Sequence, residues 1–275
     1  MTSLSTVREI LESLTGGSLS LEQAQEEIEK AAFDRMRLQY VDKLARLDLN
    51  RAQRTGIPEV ILAQGKKDEW VERLVFEMAR EKGRGIASRV TPELAIRIAG
   101  TAPEGFKADV HLDARIVVVK DVHFVSPRTG GRIGLLTAGT ADIAVAEEAR
   151  VFATEMGCDV FWVYDVGIAG IHRTLDALHT LMKEDVDVII VVAGMDAVLP
   201  ITVRGLVNLP VIGVPSSVGY GIGDKGMAPL MTMLQSCSPG LTVVNIDNGF
   251  GAASFAALTA SRVAKYRNQV AGKEA

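Results

Sequence analysis

The chain has 275 residues, 48 % of them apolar, and a formal net charge of −4, so it holds one large domain or two modest ones with ample material for a core. No basic block stands out, which argues against a nucleic-acid-binding protein, and no apolar run is long enough to span a bilayer. The amphipathic start MTSLSTVREILESL lacks the charged lead and apolar run of a secretory signal, so a cytoplasmic protein with no membrane partner is expected.

Ser3 or Ser5 is placed to cap a first helix carrying Val7, Ile10, Leu11 and Leu14, which ends at Gly16-Gly17. Ser20 opens a second helix, with Gln23 completing a capping box. Leu44 to Leu49 alternates as a strand does, Asn50 to Gly56 reads as a polar loop, and Pro58 to Leu62 as a short strand. Trp70, Leu74 and Met78 at spacings of four predict a helix over 66–82. Ile86 to Val90 is a strand, Thr91-Pro92 opens a helix with Pro at its first position, and 110–113 and 115–120 pair as strands. Residues 1–125 therefore form a small α/β module. Its basic residues Arg51, Arg54, Lys66, Arg84 and Arg89 lie near loops, either as solvated charges or as contacts to a phosphate-bearing ligand held by the second half.

Residues 126–275 read differently. Apolar strands at 133–137, 160–164, 186–192, 210–214 and 241–246 alternate with helices at 140–156, 171–183, 198–207, 227–235 and 252–267. Continuous apolar strands joined by helices mean a parallel sheet covered on both faces, and five of them suit a flavodoxin-like three-layer α/β domain. Each strand runs into a loop of Gly or small residues: Thr137 to Asp142 with Gly139, Thr140 and Ala141, Asp165 to Arg173, Ala193 to Pro200 with Gly194, Met195 and Asp196, Pro215 to Gly221 with Ser216, Ser217, Gly219 and Tyr220, and Asp247 to Gly251. Small residues let backbone N–H groups approach a ligand, and helix N-termini favour anions. Tight βα turns explain two or three such loops; five at one sheet edge point to a nucleotide-like ligand. G-x-G-x-x-G at the first turn and G-x-x-x-x-G-K-[ST] are both missing, so neither a Rossmann NAD site nor a P-loop is indicated.

Two cysteines, Cys158 and Cys237, make neither a disulfide framework nor a cysteine zinc site. Cys158 reads as buried packing at the start of the second parallel strand. Cys237 follows a helix in Ser236-Cys237-Ser238-Pro239-Gly240 and is either a nucleophile or an inert thiol. Asp142 is a candidate base or a helix N-cap. His172 is a second candidate base or a helix-start surface residue, with Arg173 beside it. Asp196 and Asp247 are further acids. Asp247, between Asn245 and Asn248, either supports Mg2+ on a pyrophosphate or belongs to the cap of the last helix.

At these residues a family resemblance enters. Thr137 to Asp142 followed by Ala146-Glu147-Glu148-Ala149, the His172-Arg173 pair, and Ala193 to Pro200 resemble the phosphate and ligand loops of the aminoimidazole ribonucleotide carboxylase and mutase family. That family carries a His where Val198 stands here. A sister family resembles the chain more fully: the LarB-type enzymes of nickel-pincer cofactor biosynthesis. The likeness runs through Arg54 to Ile61, Gly65-Lys66, Val192 to Asp196, Val214 to Gly221, Ser236 to Gly240 and Val244 to Gly251. The run Ile222 to Gly226 departs from it; many relatives have a shorter stretch there, and Lys225 is either a ligand contact or an exposed tip.

The resemblance implies a reaction: CO2 is added to the pyridinium ring of nicotinic acid adenine dinucleotide and the phosphoanhydride is cleaved, giving pyridinium-3,5-biscarboxylic acid mononucleotide and AMP. It implies Cys237 as the nucleophile and a homo-oligomer, an octamer with sites at subunit boundaries. The rival expectations are an aminoimidazole ribonucleotide carboxylase or mutase, which needs no thiol, and a nucleotide-binding regulator without chemistry.

Overall fold

A computed structural model describes residues 7–35 and 37–274. Ser3 and Ser5, the expected caps of the first helix, lie outside the described residues. The N-terminal part runs α1 (Val7–Thr15), α2 (Leu21–Arg35), β1 (Leu38–Val41), β2 (Ala45–Asp48), α3 (Arg51–Thr55), β3 (Ile61–Leu62), α4 (Asp68–Lys82), β4 (Arg84–Ser88), α5 (Pro92–Gly100), β5 (Phe106–His111) and β6 (Ile116–Asp121). The Ser20–Gln23 capping box forms in both directions, at 2.9 and 3.2 Å. Thr91 caps α5 through the Leu94 N–H, with Pro92 in the first turn.

Three local expectations need correction. The polar stretch after Asn50 is not a loop but the one-turn helix α3, stopped by Gly56 in the left-handed region at φ 76°. Of the strand expected from Pro58, only Ile61 and Leu62 pair. The strand at Ala45–Asp48 has an antiparallel partner, Leu38–Val41, that the apolar pattern did not announce. β3-β4-β6-β5 form a four-stranded sheet, and α4 and α5 bury Val71, Leu74, Val75, Met78, Leu94 and Ile98 against it.

The second part runs β7 (Arg132–Thr137), α6 (Ile143–Glu155), β8 (Asp159–Val163), α7 (Ile171–Lys183), β9 (Val188–Ala193), α8 (Val198–Leu206), β10 (Val211–Pro215), α9 (Met227–Leu234), β11 (Leu241–Val243) and α10 (Gly249–Glu274). The strands form one parallel sheet in the order β11-β10-β9-β7-β8. This is the flavodoxin-like order, whose direction reverses between its first and third strands, here β7 and β9. β9 is buried along its whole length, which is why it reads as an unbroken apolar run. On one face α6 and α10 pack through Ala146, Ala149, Phe152, Ala153, Ala252, Ala253, Ala256 and Ala260. On the other, Leu178, Leu181, Leu199, Val203 and Met233 of α7, α8 and α9 cover the sheet. No helix of the described residues is long and apolar enough to cross a membrane.

The two sheets are joined by buried charges. Arg84 at the start of β4 meets Glu155 at the end of α6 at 3.0 Å, and Lys120 reaches the other carboxylate oxygen at 2.7 Å. Ser88 at the end of β4 donates to Glu148 of α6 at 2.9 Å. These contacts fix the N-terminal sheet beside the loops of the parallel sheet.

Candidate active site

The switch point carries a cavity of about 510 Å³, lined by Gly139, Ala141 and Asp142 after β7, Gly167 to Ala169 after β8, Gly194 to Leu199 after β9, and Val218 to Tyr220 after β10. Four of the five expected loops therefore converge. Gly194 is required there: a Cβ would run into the Val218 carbonyl and lie 3.5 Å from the Asp142 carboxylate. Met195 and Ala197 follow it in the left-handed region, at φ 50° and 52°, a conformation that concentrates at functional sites. The lining is mainly apolar, and its titratable side chains are Asp142, Asp196 and Tyr220.

Asp142 is buried, and its carboxylate does not cap α6. It turns back to accept the Gly139 N–H at 2.9 Å. Burial raises its pKa; the Gly139 N–H, the Ser216 hydroxyl and the Gly194 N–H oppose that shift, and the Asp247 charge adds to it. The carboxyl is thus held above the ordinary value for an aspartate.

Asp247 separates from its amide neighbours. Its carboxylate accepts the Ser217 N–H at 2.8 Å, facing the ligand loops. Asn248 instead accepts the Gly251 N–H at 2.8 Å and caps α10, while Asn245 bonds the next N–H, that of Ile246, at 2.9 Å. Among the described residues no three His, Cys, Asp or Glu side chains gather as a metal cage.

The other expected residues take varied places. Asp196 accepts the Val198 N–H at 3.4 Å at the start of α8, and Met195 is half exposed at the cavity mouth. Ser216 and Ser217 line a neighbouring cavity of about 260 Å³ with Lys225 and Gly219. Thr140, His172 and Arg173 are exposed and do not line the main cavity; Arg173 pairs with Asp165 at 2.9 Å. Cys158 is buried and its pKa is raised by that burial.

Cys237 is exposed and lines none of these cavities. It precedes β11, at that strand's N-terminal end, whereas the ligand loops leave the C-terminal ends of their strands. Its segment is held against α8: Arg204 Nε donates to the Pro239 carbonyl at 2.8 Å, and Ser238 Oγ to the Ile201 carbonyl at 3.5 Å. The chain thus gathers the acids and the Gly-rich loops but not the thiol.

Of the basic residues in the N-terminal half, Arg51, Arg54 and Arg84 pair with Glu59, Asp48 and Glu155, and Lys66 donates to the Leu62 carbonyl at 2.6 Å. Arg89 alone among them reaches the ligand loops, donating to the Asp247 carbonyl at 2.9 Å.

Residues 132–274 match the AIR carboxylase family, and residues 39–121 match the LarB/PurE-like N-terminal domain. The chain belongs to the AIR carboxylase family, in its LarB-like two-domain form. It is 39% identical to an uncharacterized protein of Methanocaldococcus jannaschii over 92% of this chain and 96% of that one. It is 32% identical to the N5-carboxyaminoimidazole ribonucleotide mutase of the same organism, over 45% of this chain and 75% of the mutase. A probable mutase of Methanothermobacter thermautotrophicus is 31% identical over 46% of this chain, but that match spans only 37% of the mutase.

Proposed function

We propose that the protein carboxylates the pyridinium ring of nicotinic acid adenine dinucleotide and hydrolyses its phosphoanhydride, giving pyridinium-3,5-biscarboxylic acid mononucleotide and AMP as a first step toward a nickel-pincer cofactor. The observation that carries this reading is the LarB-like N-terminal domain, found in one chain with a largely apolar cavity in which Val198 stands where the mutases resembled carry a His. Such a cavity suits an aromatic ring oriented by few polar groups.

A pyridinium ring is an electrophile and does not attack CO2. Addition of the Cys237 thiolate to the carbon para to the ring nitrogen gives a neutral dihydropyridine, whose enamine carbon is a nucleophile. That carbon attacks CO2 and forms the C–C bond. A base then removes its proton, and expulsion of the thiolate restores the aromatic ring. Asp142 is the base in this reading, because it lines the cavity and its pKa is raised. Water then cleaves the phosphoanhydride, releasing AMP. Asp247, whose carboxylate has a free oxygen lone pair beyond its bond to Ser217, fits an ion that keeps its waters and takes one or two carboxylates together with substrate phosphates. Mg2+ bound there would neutralise charge on the phosphoanhydride.

The thiol reaches the ring from a second subunit. Met231 and Leu234, on the helix leading to Cys237, are 58% and 63% exposed, an apolar surface that a neighbouring copy would cover. In this reading the protein is a homo-oligomer with shared sites, an octamer by family likeness.

The direct test incubates the protein with nicotinic acid adenine dinucleotide, bicarbonate and Mg2+ and follows AMP together with the mass of the ring product. AMP and a ring one carboxyl heavier are expected. Inertness toward the dinucleotide, with turnover of an aminoimidazole ribonucleotide, would give the chain the mutases' chemistry instead. Binding of the dinucleotide without any product would leave a regulator.

A further inference from the structure

A further cavity, of about 330 Å³, lies between the N-terminal sheet and the ligand loops. It shares Ala141 and Val218 with the main cavity, so the two chambers adjoin at one loop pair. Its far wall is Arg89, just after β4, and Arg115, just before β6. These positions adjoin because Ser88 pairs with Ile116. Both arginines hold left-handed backbone, φ 56° and 54°, and so does Asp247 opposite at φ 52°. Three side-chain-bearing residues in a conformation that L residues seldom adopt thus face one chamber.

Two guanidiniums, Arg89 and Arg115, and three carboxylates, Asp113, Glu148 and Asp247, line the chamber, and they are unevenly spent. The Glu148 carboxylate accepts from Ser88 and lies 3.8 Å from Arg89, and that of Asp247 accepts from Ser217. Arg115 bonds only main-chain carbonyls, those of Val90 at 3.3 Å and Arg89 at 3.4 Å, and among the described residues it has no carboxylate partner. A guanidinium oriented by neutral carbonyls keeps its charge and its remaining N–H donors for an anion.

We infer that this chamber holds the adenylate half of the dinucleotide, with Arg115 on its phosphate and Arg89 setting the chamber wall through the Asp247 carbonyl. The inference rests on the function proposed above and adds the origin of its selectivity. The N-terminal domain makes the site a dinucleotide site, whereas the matched mutases, named for a ribonucleotide, align with less than half of the chain.

The test measures, by titration calorimetry on the purified assembled protein, the affinities for nicotinic acid adenine dinucleotide and for nicotinic acid mononucleotide. Arg115→Gln should weaken the dinucleotide about ten- to a hundredfold, the loss of a charge-assisted hydrogen bond. It should leave the mononucleotide within about twofold, and Arg115→Lys should restore part of the difference. Ala144→Trp, which fills the chamber from the exposed start of α6, should show the same selectivity without touching a charge. Equal losses for both ligands, or none for either, overturn the inference even if the wild type carboxylates the dinucleotide. A wild type that binds neither ligand overturns the proposed function with it.

Discussion

Asp142 and Cys237 are the two side chains on which the proposed chemistry turns, and their surroundings are opposite. Asp142 is buried in a loop that hydrogen bonds and a Gly-tight backbone hold in place. Cys237 is exposed on the approach to an edge strand, beside uncovered apolar residues. The chain builds its acid and loop cluster in one place and leaves the thiol outside it; in the proposed oligomer a second copy brings the thiol to the ring. In this account burial and preorganisation are complete at one region and await assembly at the other.

The largest way to break this comparison is to remove the acid. Asp142→Asn should lower turnover about 10²- to 10⁴-fold, the range of a lost general base, as measured by initial rates of ring carboxylation. Mixing that variant with Cys237→Ala, under conditions that exchange subunits, should restore activity if the two residues work in trans. Mixtures as inactive as their parents would place both in one subunit.

Next is the joint between the two sheets. Arg84→Ala leaves Glu155 with Lys120 as its remaining cation in a buried setting. It should cost about 3 kcal/mol in chemical denaturation and leave the catalytic rate per folded site unchanged. A smaller effect follows from pH. Asp142 has a raised pKa in the folded protein, so the folded state binds its proton more readily than the unfolded chain does. Its ionised burial lowers stability near neutrality, and the penalty is relieved as pH falls through the folded pKa. The thermal-midpoint difference between wild type and Asp142→Asn should therefore shift in favour of the wild type on acidification from neutral pH. A shift the other way would contradict the raised pKa. The smallest effect separates cap from ligand: Asn248→Ala should cost about 1 kcal/mol as a lost N-cap without changing the Mg2+ concentration needed for half-maximal activity, whereas Asp247→Asn should raise that concentration.

The parallel sheet is legible because its strands are continuous apolar runs and its helices carry period-3.6 faces; the helix expected over 171–183 is α7, Ile171–Lys183. Its strand order, and hence the switch point, follows from pairing that no local pattern contains. In the N-terminal half, α3 is hidden from sequence because five residues of polar character give no periodicity to read, and β1 because Leu38 and Tyr40 are exposed, leaving Val41 as its one buried residue. The loop residues around Asp142 could be chosen from sequence since Gly and small residues mark close backbone approach. Asp247 and Asn248 were inseparable there, because cap and ligand use the same side-chain oxygens. Arg115 had no signal at all: its meeting with Arg89 depends on the register of β4 against β6, and the contact of Arg89 with Asp247 joins residues 158 apart in the chain.

The most direct measurement is label from ¹³C-bicarbonate appearing in the pyridinium ring, followed in the wild type and in Cys237→Ala at equal concentrations of folded oligomer. The account predicts ring labelling by the wild type and none above background by Cys237→Ala. Ring labelling at the wild-type rate in Cys237→Ala would contradict it.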